Sequence, residues 1–329
     1  MTGHFFNKNI DNINSFLVII SFLIALIIPF ELFLFSYAIL GPIHYLSEIA
    51  WLEKKNFFIN NLNRRNFFVI IAILASTLFF LKFYSDNFLK IEFSEKYIDN
   101  FISSLIFVIF FSAGIMLFQA SYVKMFFLFY VIIFIALIFR NFYFYEVIFN
   151  ILLTTMIHVW LFTAIFMLNG AILSKSKYGL ITFVIFLICS LALFFIEKSH
   201  YQISNFVYNI LKLKNFTALN NVISDIFSFE KNNYLGGNNN VQSFIAFSYT
   251  YHYLNWFFKA QIINWHKLSK KMLFVIVLLY LVILTFYIID YRLGFFITFF
   301  LSIAHVFLEF PLNFLSFRDL KNNLFWLKK

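Results

Sequence analysis

Ten stretches of about twenty apolar residues follow one another along this chain, near 13-28, 31-52, 66-83, 101-119, 121-139, 143-169, 178-196, 241-258, 272-290 and 293-316. About twenty such residues carry a helix across a bilayer. The pattern therefore predicts an all-α fold, a polytopic transmembrane helical bundle of about nine or ten spans. The uncertain pair is the first, because Pro29 interrupts one apolar run from Phe16 to Leu40, and proline either breaks or kinks a helix. Composition agrees: 62% of residues are hydrophobic and 12% charged, where soluble domains carry about a quarter charged, and the mean hydropathy is +0.85. We read 1-329 as a single integral membrane domain with a polar, Asn-rich connection at about 197-240. The N-terminal segment lacks a small-residue cleavage site after its apolar run, so no cleavable signal is expected.

A net charge of +10 would point to nucleic acid in a soluble protein. Here the basic residues sit in short loops between apolar spans, so membrane orientation accounts for them and no nucleic-acid partner is expected. Lys54, Lys55, Arg64 and Arg65 fall in one set of connections with Lys175, Lys177, Lys259, Lys267, Lys270, Lys271 and the tail residues Arg318, Lys321, Lys328 and Lys329. By the positive-inside rule these connections and the C-terminus face the cytoplasm of a cell membrane. The single cysteine, Cys189, lies in an apolar run; it forms no intrachain disulfide and no thiol metal cluster, and reads as a small core residue.

Against this background the ionisable residues inside the spans are costly and are candidates for function. Gly41-Pro42-Ile43-His44-Tyr45-Leu46-Ser47-Glu48 and His305-Val306-Phe307-Leu308-Glu309-Phe310-Pro311 each set a histidine and a glutamate four residues apart, on one helix face, beside a proline. The three prolines, Pro29, Pro42 and Pro311, each lie two residues from Glu31, His44 or Glu309. His44, His158, His252 and His305 come from four different spans and fall at the middle or in the cytoplasmic half of the bilayer. Imidazoles are the commonest ligands of iron, zinc and copper, and a carboxylate commonly orients them. The four histidines are therefore the candidate metal ligands, with Glu48 and Glu309 as candidate catalytic or orienting carboxylates. A lone intramembrane histidine such as His158 also serves as an interhelical hydrogen-bonding residue. The polar aromatic stretch Tyr249-Thr250-Tyr251-His252-Tyr253-Leu254-Asn255-Trp256 is either a cavity wall or an interfacial belt. His4 and His200 lie in a tail and a long connection and are left out of the group.

No HxxxH or HxxHH histidine box, GxxxxGK[ST], HExxH, CxxC or GxSxG occurs. The segment from Gly41 to Glu48 resembles the early GxPHGxxD-like signature of the Brp/Blh bacteriorhodopsin-related family, membrane enzymes that cleave beta-carotene to retinal with histidine-held iron. In this comparison His44 matches the motif histidine, Glu48 replaces its acidic partner, Tyr45 stands where the family has glycine, and His252 and His305 stand for later histidines. The likeness covers some tens of residues. It implies iron as cofactor, an oxidative reaction and a lipophilic, carotenoid-like small-molecule substrate admitted from the lipid bilayer. Two other readings stay open on the residues: lipid or acyl transfer using an embedded histidine, with Asn264-Trp265-His266 prominent, and a non-enzymatic transporter or structural membrane protein whose His/Glu pairs relay protons or hold helices.

Overall fold

In the computed structural model, which describes residues 8–85, 95–117, 121–196, 203–211, 214–231, 237–258 and 268–326, twelve helices of four residues or more account for nearly all the regular structure. They are α1 (Lys8–Ile27), α2 (Pro29–Lys54), α3 (Leu62–Tyr84), α4 (Glu95–Leu117), α5 (Tyr122–Phe139), α6 (Tyr143–Ser174), α7 (Lys177–Phe195), α8 (Asn205–Leu211), α9 (Lys214–Ile226), α10 (Asn239–Phe258), α11 (Lys270–Ile289) and α12 (Tyr291–Trp326). Eight of them, α2 to α7, α11 and α12, are long and apolar enough to cross a membrane. The chain is a multi-pass membrane protein by this measure. The apolar part of α1, Asp11–Ile27, is shorter, and α10 is too polar to count among the eight despite its twenty residues. These ten helices stand where the ten apolar stretches are.

Pro29 settles the question left at the N-terminus. The helix stops at Ile27, Ile28 takes a non-helical conformation, and Pro29 begins a new helix, a position where its missing N–H costs nothing and its fixed φ suits the first turn.

The chain divides into two compact units, Met1–His44 with Met156–Ser269 and Ser316–Lys329, and Tyr45–Thr155 with Lys270–Leu315. In the first unit α10 is central: it packs on α1, α7, α9 and the start of α2, and fifteen of its twenty residues are buried. Its aromatic residues Tyr249, Tyr251 and Tyr253 are interior, not a belt at the membrane surface. Tyr251 donates to Asn14 Oδ1 of α1 at 2.9 Å and its ring packs against Phe186 of α7. Cys189 is buried, as a core residue should be.

The connection before α10 is more ordered than its composition suggests. It holds α8 and α9, and its Asn-rich end caps α10: Asn238 Oδ1 accepts from the N–H groups of Asn240 and Val241, two donors a helix start leaves open. Asn220 on α9 completes the arrangement, accepting from the Asn238 N–H and donating to the Asn238 carbonyl at 3.0 Å. Residues 232–236, in the middle of the stretch expected to be flexible, lie outside the described residues.

The second unit is built on stacked phenylalanines. Phe83 of α3 stacks on Phe299 of α12 at 4.1 Å, and Phe110 of α4 meets Phe310 edge-on at 5.0 Å. α5 and α11 are apolar all round and only 17% buried in their spanning windows, surface that suits lipid. Between α11 and α12, Gly294 lies under the ring of Tyr287, whose hydroxyl bonds Thr298 Oγ1 at 2.7 Å. A Cβ at Gly294 would lie 2.4 Å from that ring, whereas one at Gly170 would meet nothing within 4 Å. Gly294→Ala is thus expected to destabilise by about 1–3 kcal/mol through overpacking. Gly170→Ala should be neutral or stabilising by up to about 1 kcal/mol. Thermal unfolding of the two variants in detergent checks the contrast.

Candidate metal centre

The path to the centre begins in α2, where a proline would ordinarily disturb the helix. Pro42 has no N–H to return to the preceding turn. The chain accommodates this by widening just before it: Ser36–Leu40 is π-helical, and the Gly41 N–H reaches back five residues to the Ser36 carbonyl. The widened turn is tied to α10 by Ser36 Oγ and Thr250 Oγ1, 2.7 Å apart. Thr250 gives its own hydrogen to the Ala246 carbonyl, so Ser36 is the donor between them. Phe33 meets Tyr249 edge-on at 5.3 Å on the same contact. These contacts fix where His44, two turns further along, is presented.

His44 is presented to His252 of α10. The two Nε2 atoms are 3.1 Å apart, with the rings edge-on at a centroid distance of 4.8 Å. The other nitrogen of His252, Nδ1, is 2.8 Å from Thr163 Oγ1 of α6. His158, also on α6, has its ring 5.0 Å from that of His252. All three histidines are buried. Tyr253 and Trp256 pack their rings within 5.0 and 5.4 Å of the His44 ring, so the pair lies among aromatic carbon. Two imidazole nitrogens bound side by side to one ion at about 2.0–2.1 Å would be separated by about 3.0 Å at a right angle and about 3.3 Å at the tetrahedral angle. The observed separation falls inside this interval.

In the second unit, His305 of α12 is buried and stacks on Tyr45 at 4.4 Å with the planes 27° apart. One turn on, Glu48 and Glu309 are both 2% exposed and within electrostatic reach of each other. Pro311 lies inside α12 just beyond. Carboxyls so withdrawn from water are costly unless their oxygens have partners. Glu31 of α2 is only half-buried. His44, His252 and His305 are each buried with a ring nitrogen suited to hold a metal ion. His4, His200 and the Asn264-Trp265-His266 stretch lie outside the described residues.

The sequence pointed to the histidines and the acids. It did not point to Thr163, Ser36 or Tyr45, the residues that touch or orient them. A threonine in an apolar span carries no signal of its own, and Tyr45 is one tyrosine among 18.

The His44–His252 contact is strong enough to measure without any metal. In chelator-treated protein, His44→Ala and His252→Ala should each destabilise, and the double-mutant cycle should show a coupling of about 0.5–1.5 kcal/mol. Denaturation in detergent reads this, and additive single effects would mean that the two rings do not interact. No family model, curated protein or solved structure matches this chain.

Proposed function

We propose that this chain is a membrane-embedded iron-dependent oxygenase acting on a lipophilic, carotenoid-like substrate, in keeping with its resemblance to the Brp/Blh family. The observation that carries the reading is the pair of buried Nε2 atoms of His44 and His252 at a ligand-like separation of 3.1 Å. The ligands proposed within the first unit are His44, His158 and His252. Imidazole nitrogens suit iron as they suit zinc and copper, and bound iron would supply the chemistry with dioxygen that side chains cannot perform.

The chain's own residues do the rest. Tyr253, Trp256 and Phe257 surround His44 with aromatic carbon, which excludes water and offers flat apolar surface to an extended hydrocarbon. Glu48 and Glu309 are the groups able to hold or pass a proton at their carboxyl oxygens. The basic loops and the C-terminus face the cytoplasm in this proposal, and substrate enters from the bilayer.

Metal content tests the reading first. Protein purified in detergent is expected to hold about one iron per chain by inductively coupled plasma mass spectrometry. His44→Ala and His252→Ala should lose it while circular dichroism stays helical. Oxygen uptake on added beta-carotene should disappear in the same variants. A well-folded wild type without metal overturns the reading and leaves transfer chemistry or transport. Iron bound without oxygen uptake on any carotenoid would overturn the substrate assignment alone.

A further inference from the structure

His252 has two ring nitrogens and both are engaged, Nε2 towards His44 and Nδ1 towards Thr163 Oγ1 at 2.8 Å. Thr163 is buried, on α6, five residues beyond His158, whose ring is 5.0 Å from the same imidazole. In a regular α-helix that spacing fails: five residues at about 100° each leave the two side chains about 140° apart, so they cannot face one neighbour. α6 is not regular there. Val147–Phe162 is π-helical, and hydrogen bonds reaching five residues bring positions five apart onto one face of successive turns.

We propose that Thr163 is the positioning residue of His252, delivered by the π-helical register of α6. Its Oγ1 accepts the Nδ1 hydrogen of His252, which fixes the ring as the Nδ1–H tautomer and turns the Nε2 lone pair towards His44. Across the metal-free 3.1 Å contact, His44 Nε2 is then the donor. Where a metal is bound, the same tautomer is the one that ligates through Nε2, because a ligand imidazole donates its other N–H to an oxygen. This last step rests on the metal reading proposed above; the tautomer assignment does not.

Two measurements separate the two. The first is 15N NMR of histidine-labelled, metal-free protein. The His252 signals, assigned by their loss in His252→Ala, should report Nδ1–H in wild type and in Thr163→Ser, and a mixed or Nε2–H state in Thr163→Val. An unchanged tautomer in Thr163→Val overturns the proposal. The second is Co(II) titration of the same set. Thr163→Val should weaken binding about 10–100-fold, Thr163→Ser should restore it, and His252→Ala should abolish it. Wild-type affinity in Thr163→Val, with binding lost in His252→Ala, keeps the metal site and overturns positioning. No Co(II) binding by wild type overturns the metal reading alone, and the NMR result then decides the role of Thr163.

Discussion

Hydrocarbon offers polar groups no partner, and α10 is the element on which that constraint falls hardest. Within twenty residues it carries Gln242, Ser243, Ser248, Thr250, Tyr251, His252 and Asn255, and it is buried almost end to end. Ser243 and Ser248 bond carbonyls of their own helix. Four of the groups bond neighbouring helices: Gln242 takes Asn220 of α9, Thr250 takes Ser36 of α2, Tyr251 takes Asn14 of α1, and His252 takes His44 of α2 and Thr163 of α6. Such bonds in a membrane interior are modest singly, about 0.6–2 kcal/mol. Their greater effect is on specificity, since a neighbour placed wrongly would strand a polar group where water cannot satisfy it. The arrangement of the first unit is in this sense a solution to the polarity of α10.

The π-helical stretches in α2 and α6 belong to the same logic. One precedes Pro42 and His44, the other runs through His158 and ends at Phe162, just before Thr163. A π turn is unfavourable on its own and survives where other contacts over-determine it, which is why such turns concentrate at functional sites. In α2 the wide turn absorbs the donor that Pro42 lacks and is held by the Ser36–Thr250 bond. In α6 it changes which residues share a face. Both act on the direction from which a group reaches His252 rather than on the identity of that group.

This explains what was legible in the sequence. Apolar runs of spanning length need no knowledge of partners, so the positions of these helices could be read directly; Pro29 marked an interruption, and that it is a break at Ile28 came from the structure. The His44/Glu48 and His305/Glu309 pairs were visible because charge in such runs is rare. The meeting of His44 and His252 was not, since they are 208 positions apart and nothing local links them. A five-residue His158–Thr163 spacing even argues against a shared face to a reader who assumes 3.6 residues per turn. The Asn-rich stretch read as loop because asparagine favours loops and helix caps alike; only the partner Asn220 distinguishes the two.

One of the boundaries between the two units falls between His44 and Tyr45, within the helix Gly41–Lys54. His44 pairs with His252 in the first unit, while Tyr45 stacks on His305 in the second. Consecutive side chains on an α-helix leave it about 100° apart, so His44 and Tyr45 face different partners. The rotation of that turn is set upstream, by the π-helical widening at Ser36–Leu40 and the start of regular helix at Gly41. Changing the widening by one residue would rotate His44 by about 100°, taking it from its contact with His252. The Ser36–Thr250 bond therefore governs the aim of His44 towards His252.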